Sequence, residues 1–233
     1  MRPGASRQDT AMRAVVVLSG GLDSACAAAM LRGKELYGIT FSYGQKGSRE
    51  VPAARRMAKK LGMAGHKVAD IGFMKSLYGS SNALTGGGVG VPGTFDYSIV
   101  VPARNAVFLS IAAAWAFSIG AGLVAYGAHS GDRPYPDCRP SFARRFGAAL
   151  NAAESDGVRD GLRRRIEVWS PYMDGITKEE LLRRGARRLG DAVFGTWSCY
   201  RGGRLHCGRC ESCANRRGAF EAAGIRDRTR YAA

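Results

Sequence analysis

The chain predicts an α/β fold: a doubly wound parallel sheet followed by a small helical region at the C-terminal end that binds a metal. Three observations carry this expectation. Apolar strand-like runs alternate with helical segments, a Gly-Gly turn joins the first strand to the first helix, and four cysteines fall within fifteen residues. Strands separated by helices read as parallel, because each crossover returns the chain to the same edge of the sheet.

Residues 14–18 (AVVVL) form an unbroken apolar run, the pattern of a strand buried on both faces. It breaks into Ser19-Gly20-Gly21 and then Asp23-Ser24. Two glycines let backbone N–H groups approach an anion with no Cβ in the way, and the helix that follows presents its positive end at the same point. No Lys-Ser or Lys-Thr follows the glycines and no G-x-G-x-x-G is present, so neither commoner phosphate motif applies. Ser19 and Ser24 offer hydroxyls, and Asp23 a carboxylate suited to magnesium.

Further along, residues 36–41, 66–71 and 123–126 read as strands, and residues 24–32, 49–61 and 104–119 as helices. Residues 106–128 carry no charge over 23 positions, long enough to span a bilayer. Gly120 and Gly122 divide the stretch and Ala outweighs Leu, so it reads as a core helix plus strand. Residues 79–93, rich in Gly and Ser, read as a mobile lid or a plain surface loop. Residues 156–165 read as a charged helix face, and Thr177-Lys178-Glu179-Glu180 as a capping box that opens an amphipathic helix ending near Leu189. In a sheet of this kind ligands sit beyond the carboxyl ends of the strands, where residues 19–21 emerge.

Composition sets the outer limits. The 233 residues suit one main domain with room for an appendage, and 45% hydrophobic content is that of a globular chain. Residues 1–13 lack the apolar stretch of a secretion signal and read as a disordered lead, which points to the cytoplasm. Net charge is +16 and the isoelectric point about 10.1. Such a balance invites nucleic acid. However, 28 of the 35 basic residues are Arg in an Ala- and Gly-rich chain, and pairs such as Arg183-Arg184 and Arg187-Arg188 fall on the solvent side of amphipathic helices. A solvated face is the expectation, with nucleic acid not the substrate.

Of six cysteines, Cys26 and Cys138 stand alone, Cys26 reading as a small buried hydrophobe. Cys199, Cys207, Cys210 and Cys213 follow a C-x7-C-x2-C-x2-C spacing, which in an intracellular chain of this size calls for a soft metal. Tetrahedral zinc closed by four thiolates is the expected ion, with an iron–sulfur cluster as the rival. His206 reads as a neighbour of that site, since four cysteines already complete the shell.

SGGLDS resembles the pyrophosphate (PP) loop of ATP pyrophosphatases, a Rossmann-like family. Together with FSYGQ at 41–45, NALT at 82–85, VPARN at 101–105, YPDCRPSF at 135–142, TWSCY at 196–200 and CGRCESC with Arg216 and Phe220, the chain resembles the 7-cyano-7-deazaguanine synthase (QueC) family over residues 14–220. The resemblance implies an ATP-dependent, C–N bond-forming ligase that makes the nitrile preQ0 from 7-carboxy-7-deazaguanine and ammonia, a step toward queuosine and related deazapurines. Residues 14–170 would then form the nucleotide-binding domain and 171–233 the helical region with the zinc knot. ATP and Mg2+ would sit on Leu18, Ser19, Gly20, Gly21, Leu22, Asp23, Ser24, Ala25, Cys26, Ala27 and Ala28. The catalytic set would be Ser19, Asp23, Ser24 and Arg104. The substrate would meet Arg104 and Arg139 as carboxylate or phosphate clamps, and Asp132 and Asp137 as acceptors for the base.

Two departures from the family pattern stand out. Gly47 occupies the place of a usual histidine in YGQKG, and the tract from Asp132 to Asp137 is a residue short. They leave open a relative with another substrate or acceptor, or a tRNA-modifying enzyme of the same superfamily. A non-catalytic adaptor built around the zinc knot fits poorly with an intact SGGLDS. Oligomeric state is not legible here, a homodimer being one option.

Overall fold

The computed structural model describes residues 12–46, 49–86 and 90–232. Five strands, β1 (Arg13–Val17), β2 (Glu35–Ser42), β3 (Gly65–Asp70), β4 (Leu123–Ala125) and β5 (Glu167–Trp169), form one sheet in the order β3-β2-β1-β4-β5, every pair parallel. The order reverses at β1, so the crevice between the carboxyl ends of β1 and β4 is the topological switch point. The Ser19-Gly20-Gly21 turn leaves β1 there.

Period-two alternation sorts β1 between two cores. Ala14, Val16 and Leu18 face one side and Val15 and Val17 the other. The first side is covered by α1 (Leu22–Met30), α2 (Glu50–Lys60), α7 (Lys178–Leu189) and α8 (Glu211–Ala222); the second by the short α3 (Met74–Tyr78), α4 (Arg104–Ile119) and α5 (Pro140–Ala153). A short α6 (Ser155–Arg159) follows α5. The stretch Tyr97–Ile119 is apolar and long enough by composition to cross a bilayer. Within it, α4 instead lays Leu109, Ala112, Ala113 and Ala116 into the second core against β1.

Helix α7 crosses α1 with backbone nearly touching backbone, and Gly185 makes that possible. A Cβ on residue 185 would lie 2.4 Å from Cys26 Sγ, 2.5 Å from its Cβ and 2.7 Å from its Cα. Gly185→Ala should therefore destabilise by about 1–3 kcal/mol through overpacking, read as a lowered melting temperature. Adding Cys26→Ala should give little relief, because the Cβ and Cα clashes persist. Unchanged melting would contradict this packing.

Three expectations are corrected. Residues 156–165 are not one helix face: α6 stops at Arg159, and Gly161, at φ +70°, turns the chain toward β5. Residues 82–85 are buried rather than a surface loop, because Asn82 Oδ1 accepts the N–H groups of Leu84 and Thr85 at 3.0 Å each and so satisfies a tight turn inside the protein. At the start of α7, Thr177 Oγ1 accepts the Glu180 N–H at 3.4 Å, but the Glu180 carboxylate turns outward to Arg184 at 2.7 Å instead of closing the capping box. Residues 1–11 of the expected lead, 87–89 of the glycine-rich segment and Gly47 lie outside the described residues.

Candidate active site at the switch point

A cavity of about 630 Å³ opens at the carboxyl ends of β1 and β4. Its floor is the loop from β1 to α1. Ser19 and Ser24 hydroxyls stand 2.9 Å apart, the Gly21 N–H donates to Ser19 Oγ at 3.1 Å, and the Ser19 N–H donates to Ser24 Oγ at 3.2 Å. Gly20 holds φ +85°, and a Cβ there would lie 2.3 Å from the Glu50 carbonyl oxygen. Gly127, at the end of β4, passes so close to α1 that a Cβ would fall 2.6 Å from the Ser24 nitrogen. Only glycine permits either approach.

Asp23 points into the cavity from the first turn of α1 and is met from across the molecule. Lys178 Nζ, at the start of α7, donates to Asp23 Oδ2 at 3.1 Å, and His129 Nε2 lies 3.8 Å from Oδ1. Burial alone would raise the Asp23 pKa, but the opposing pull, led by Lys178, outweighs it and holds the carboxyl below its ordinary range. Burial likewise works against the Lys178 charge, and Asp23 with Asp132 more than restores it. His129 Nδ1 accepts the Gly131 N–H at 3.1 Å, so Nε2 is the ring nitrogen left to donate. That Nε2 is buried and has no hydrogen-bond partner among the described residues. A buried donor beside a ring of N–H groups and hydroxyls fits a phosphate chain at this place.

The upper walls are aromatic and charged. Arg104 opens α4 directly after Ala103, the one non-glycine residue at positive φ (+51°) among those described, so strained backbone aims the guanidinium inward. Arg104 Nη1 donates to Tyr43 Oη at 3.5 Å. Glu50, burial pushing its pKa up to about 7 against the pull of Arg104 and Gln45, faces it. Phe95, Tyr135, Tyr200 and Glu211 also line the cavity.

Of the residues expected to hold ATP, Leu18, Ser19, Gly21, Leu22, Asp23 and Ser24 line the cavity; Gly20 shapes the turn, and Ala25, Cys26, Ala27 and Ala28 are buried in the first core. Arg104 and Asp132 line it too. Asp137 does not: its Oδ2 accepts the Asn105 N–H at 3.1 Å and so caps the start of α4. Arg139 is exposed and donates to the Arg133 carbonyl at 3.0 Å. Lys178, His129, Tyr135, Tyr200 and Glu211 were not singled out from the sequence as cavity residues.

Beside the cavity, the sulfurs of Cys199, Cys207, Cys210 and Cys213 all lie within 4.8 Å of one another, with Cys207 and Cys213 at 3.9 Å. One tetrahedral ion with Zn–S bonds of about 2.3 Å spaces its sulfurs in this way, whereas a multi-iron cluster spreads its cysteines over several metal atoms. Backbone N–H groups of Arg201 and Cys207 point at Cys199 Sγ, and those of Arg209 and Cys210 at Cys207 Sγ, each within 3.3 to 3.4 Å. Such donors stabilise thiolates. The set could therefore hold a metal such as zinc. His206 stands outside it: its Nε2 accepts the Ser198 N–H at 3.2 Å, and burial with Arg216 nearby pushes its pKa down to about 4.

The segment TWSCY ties knot to loop. Trp197 N–H donates to the Gly20 carbonyl at 2.8 Å, and the buried Arg216 of α8 donates to Thr196 Oγ1 at 2.8 Å, Ser198 Oγ at 3.1 Å and the Val193 carbonyl at 3.3 Å.

An SGGLDS loop at the switch point of a doubly wound sheet defines a protein of the ATP-utilising PP-loop class. Residues 13–224 match the family described as queuosine biosynthesis protein QueC. The 7-cyano-7-deazaguanine synthase of Caldicellulosiruptor bescii is 43% identical over 228 residues, covering 94% of this chain and 97% of that protein. That of Cupriavidus necator is 43% identical over 231 residues, covering 95% and 98%. The chain belongs to the QueC family. Among solved structures, a predicted subunit of tRNA methyltransferase from Methanocaldococcus jannaschii superposes at TM-score 0.47 with 20% identity, over 75% of this chain and 74% of its own, too distant to bear on the site.

Proposed function

We infer that the protein converts 7-carboxy-7-deazaguanine and ammonia into 7-cyano-7-deazaguanine, cleaving ATP to AMP and pyrophosphate. The observation that carries this is the serine- and glycine-lined loop with the Asp23–Lys178 pair, in a cavity also lined by an arginine and further carboxylates among aromatic rings.

A carboxylate is a poor electrophile at neutral pH. Its oxygen attacks the α-phosphorus of ATP, pyrophosphate leaves, and the acyl-adenylate carries AMP as a good leaving group. Ammonia displaces AMP to give the primary amide and releases a proton. The amide oxygen then attacks the α-phosphorus of a second ATP, pyrophosphate leaves and one amide proton is lost, and departure of AMP with loss of the second amide proton leaves the nitrile.

Ser19, Ser24, the N–H groups opening α1 and His129 Nε2–H would hold the departing pyrophosphate, and the ionised Asp23 would carry Mg2+, which neutralises phosphate charge. Lys178 keeps Asp23 ionised and adds positive charge where the leaving group develops its own. Arg104 would hold the substrate carboxylate by a two-pronged contact. The four cysteines would hold a structural zinc that takes no part in the chemistry. This is ligase chemistry on a free base, in a protein expected to work in the cytoplasm, as a homodimer or a monomer.

Incubation with 7-carboxy-7-deazaguanine, ammonium and Mg-ATP, followed by mass spectrometry, tests the reading. Nitrile with one AMP and one pyrophosphate for each adenylation is expected. Stoichiometric ADP, or product only when tRNA is added, would overturn it.

A further inference from the structure

We propose that Glu211 is the residue that recognises the base: its carboxylate receives the N1–H and 2-amino protons of a 2-aminopyrimidin-4-one ring held between Tyr135 and Tyr200. The proposal rests on the substrate class inferred above and names the group that selects it.

Such a ring presents two adjacent N–H donors along one edge, and an ionised carboxylate is the side chain that accepts both. Among the described residues four carboxylates line the cavity: Asp23, Glu50, Asp132 and Glu211. Three face a basic side chain, Lys178, His129 or Arg104, whereas the direct partners of Glu211 are neutral. Asp23 is paired with Lys178 on the phosphate loop. Asp132 Oδ2 accepts the His129 N–H at 2.9 Å and stands 3.6 Å from His129 Nδ1. Glu50 accepts from Gln45 Nε2 at 3.3 Å and faces the Arg104 charge on the β2 side.

Glu211 is different. Tyr200 Oη donates to its Oε2 at 3.2 Å and Asn215 Nδ2 donates to its Oε1, so each oxygen is steadied by one neighbour and keeps a lone pair for another donor. The residue is only 7% exposed yet lines the cavity, beside Tyr135 and Tyr200, with Phe95 edge-on to Tyr135 at 5.4 Å. Flat aromatic walls suit a planar bicyclic base.

The knot now acquires a task. Glu211 lies between Cys210 and Cys213, and its own N–H is held by the Pro92 carbonyl at 3.1 Å. Sulfurs on either side fixed by one metal would fix the carboxylate between them, which is the rigidity that two-point recognition needs.

The test is calorimetric titration of the zinc-loaded protein with 7-deazaguanine and with 7-deazahypoxanthine, which lacks the 2-amino group. Neither ligand requires turnover. Wild-type protein should prefer 7-deazaguanine by about tenfold to a hundredfold, the scale of a good bidentate contact. Glu211→Gln, which sets an amide donor against ligand donors, should bind the two alike, and Glu211→Asp, which keeps the charge but retracts it, should fall between. Metal content, measured in each protein, should stay constant. A wild-type protein indifferent to the 2-amino group, or Glu211→Gln retaining the wild-type preference, would overturn the assignment, and a purely structural Glu211 would give that second result. If Glu211→Gln is insoluble, Glu211→Asp and Tyr200→Phe carry the test, since each should narrow the preference. Absence of nitrile formation by wild-type protein would strike the proposed function and leave this comparison intact.

Discussion

Asp23→Asn should lower substrate-dependent release of pyrophosphate by about 10²–10³-fold, the usual cost of losing one charge aimed at a developing transition state. Lys178→Met should cost a comparable factor, and the double variant little more than the worse single one, because both remove one charge pair. The two differ in pH dependence. Lys178 leads the pull that holds the Asp23 pKa down against burial, so the carboxylate of the wild-type protein stays ionised below the ordinary carboxylate range. The stability that this depressed pKa contributes is present above the unfolded-state pKa and is lost as pH falls through the folded one. Without Lys178 burial acts with less opposition, and the pKa must rise. The acid limb of the rate profile should therefore move to higher pH in Lys178→Met, and no acid limb from residue 23 should remain in Asp23→Asn. Wild-type rates in Asp23→Asn would remove Asp23 from the reaction, and an unmoved limb in Lys178→Met would show that the lysine does not tune it.

How much of this site could be read in advance follows from where its parts lie in the chain. The strand–turn–helix around residues 19–21 was legible because strand, turn and helix start are contiguous, and local rules govern all three. The cysteine cluster was legible because its four members crowd into fifteen residues. Lys178 was read only as part of a capping box, and 155 positions separate it from Asp23. Only the crossing of α7 over α1, allowed by Gly185, brings them together. Asp137 has the chemistry of a base acceptor, but the nearest unsatisfied donor, the Asn105 N–H, takes it first. Glu211 sits inside the cysteine motif, where no local pattern marks a side chain that reaches the cavity. Strand β5, only three residues long and preceded by three arginines, carries too little pattern to be seen without its neighbour β4.

Cys210→Ser should have the largest effect of any single replacement. Four-cysteine zinc knots owe their folding to the metal, with apparent binding free energies of about 10–16 kcal/mol in small zinc domains, comparable to the net stability of a whole domain, about 5–15 kcal/mol. Here the loss would spread. Cys210 is the first residue before α8, α8 carries the buried Arg216, Arg216 holds Thr196 and Ser198, and Trp197 between them holds the Gly20 carbonyl of the phosphate loop. Cys210→Ser is thus expected to be insoluble or metal-poor, and any soluble fraction to bind ATP weakly although residue 210 touches no phosphate. Cys26→Ala, a buried thiol outside the knot, should keep its metal. Elemental analysis of colourless wild-type protein should find about one zinc per chain. A brown, iron-containing preparation would assign the cysteines to a cluster, and a soluble Cys210→Ser protein with normal ATP affinity would break the chain of contacts between knot and loop.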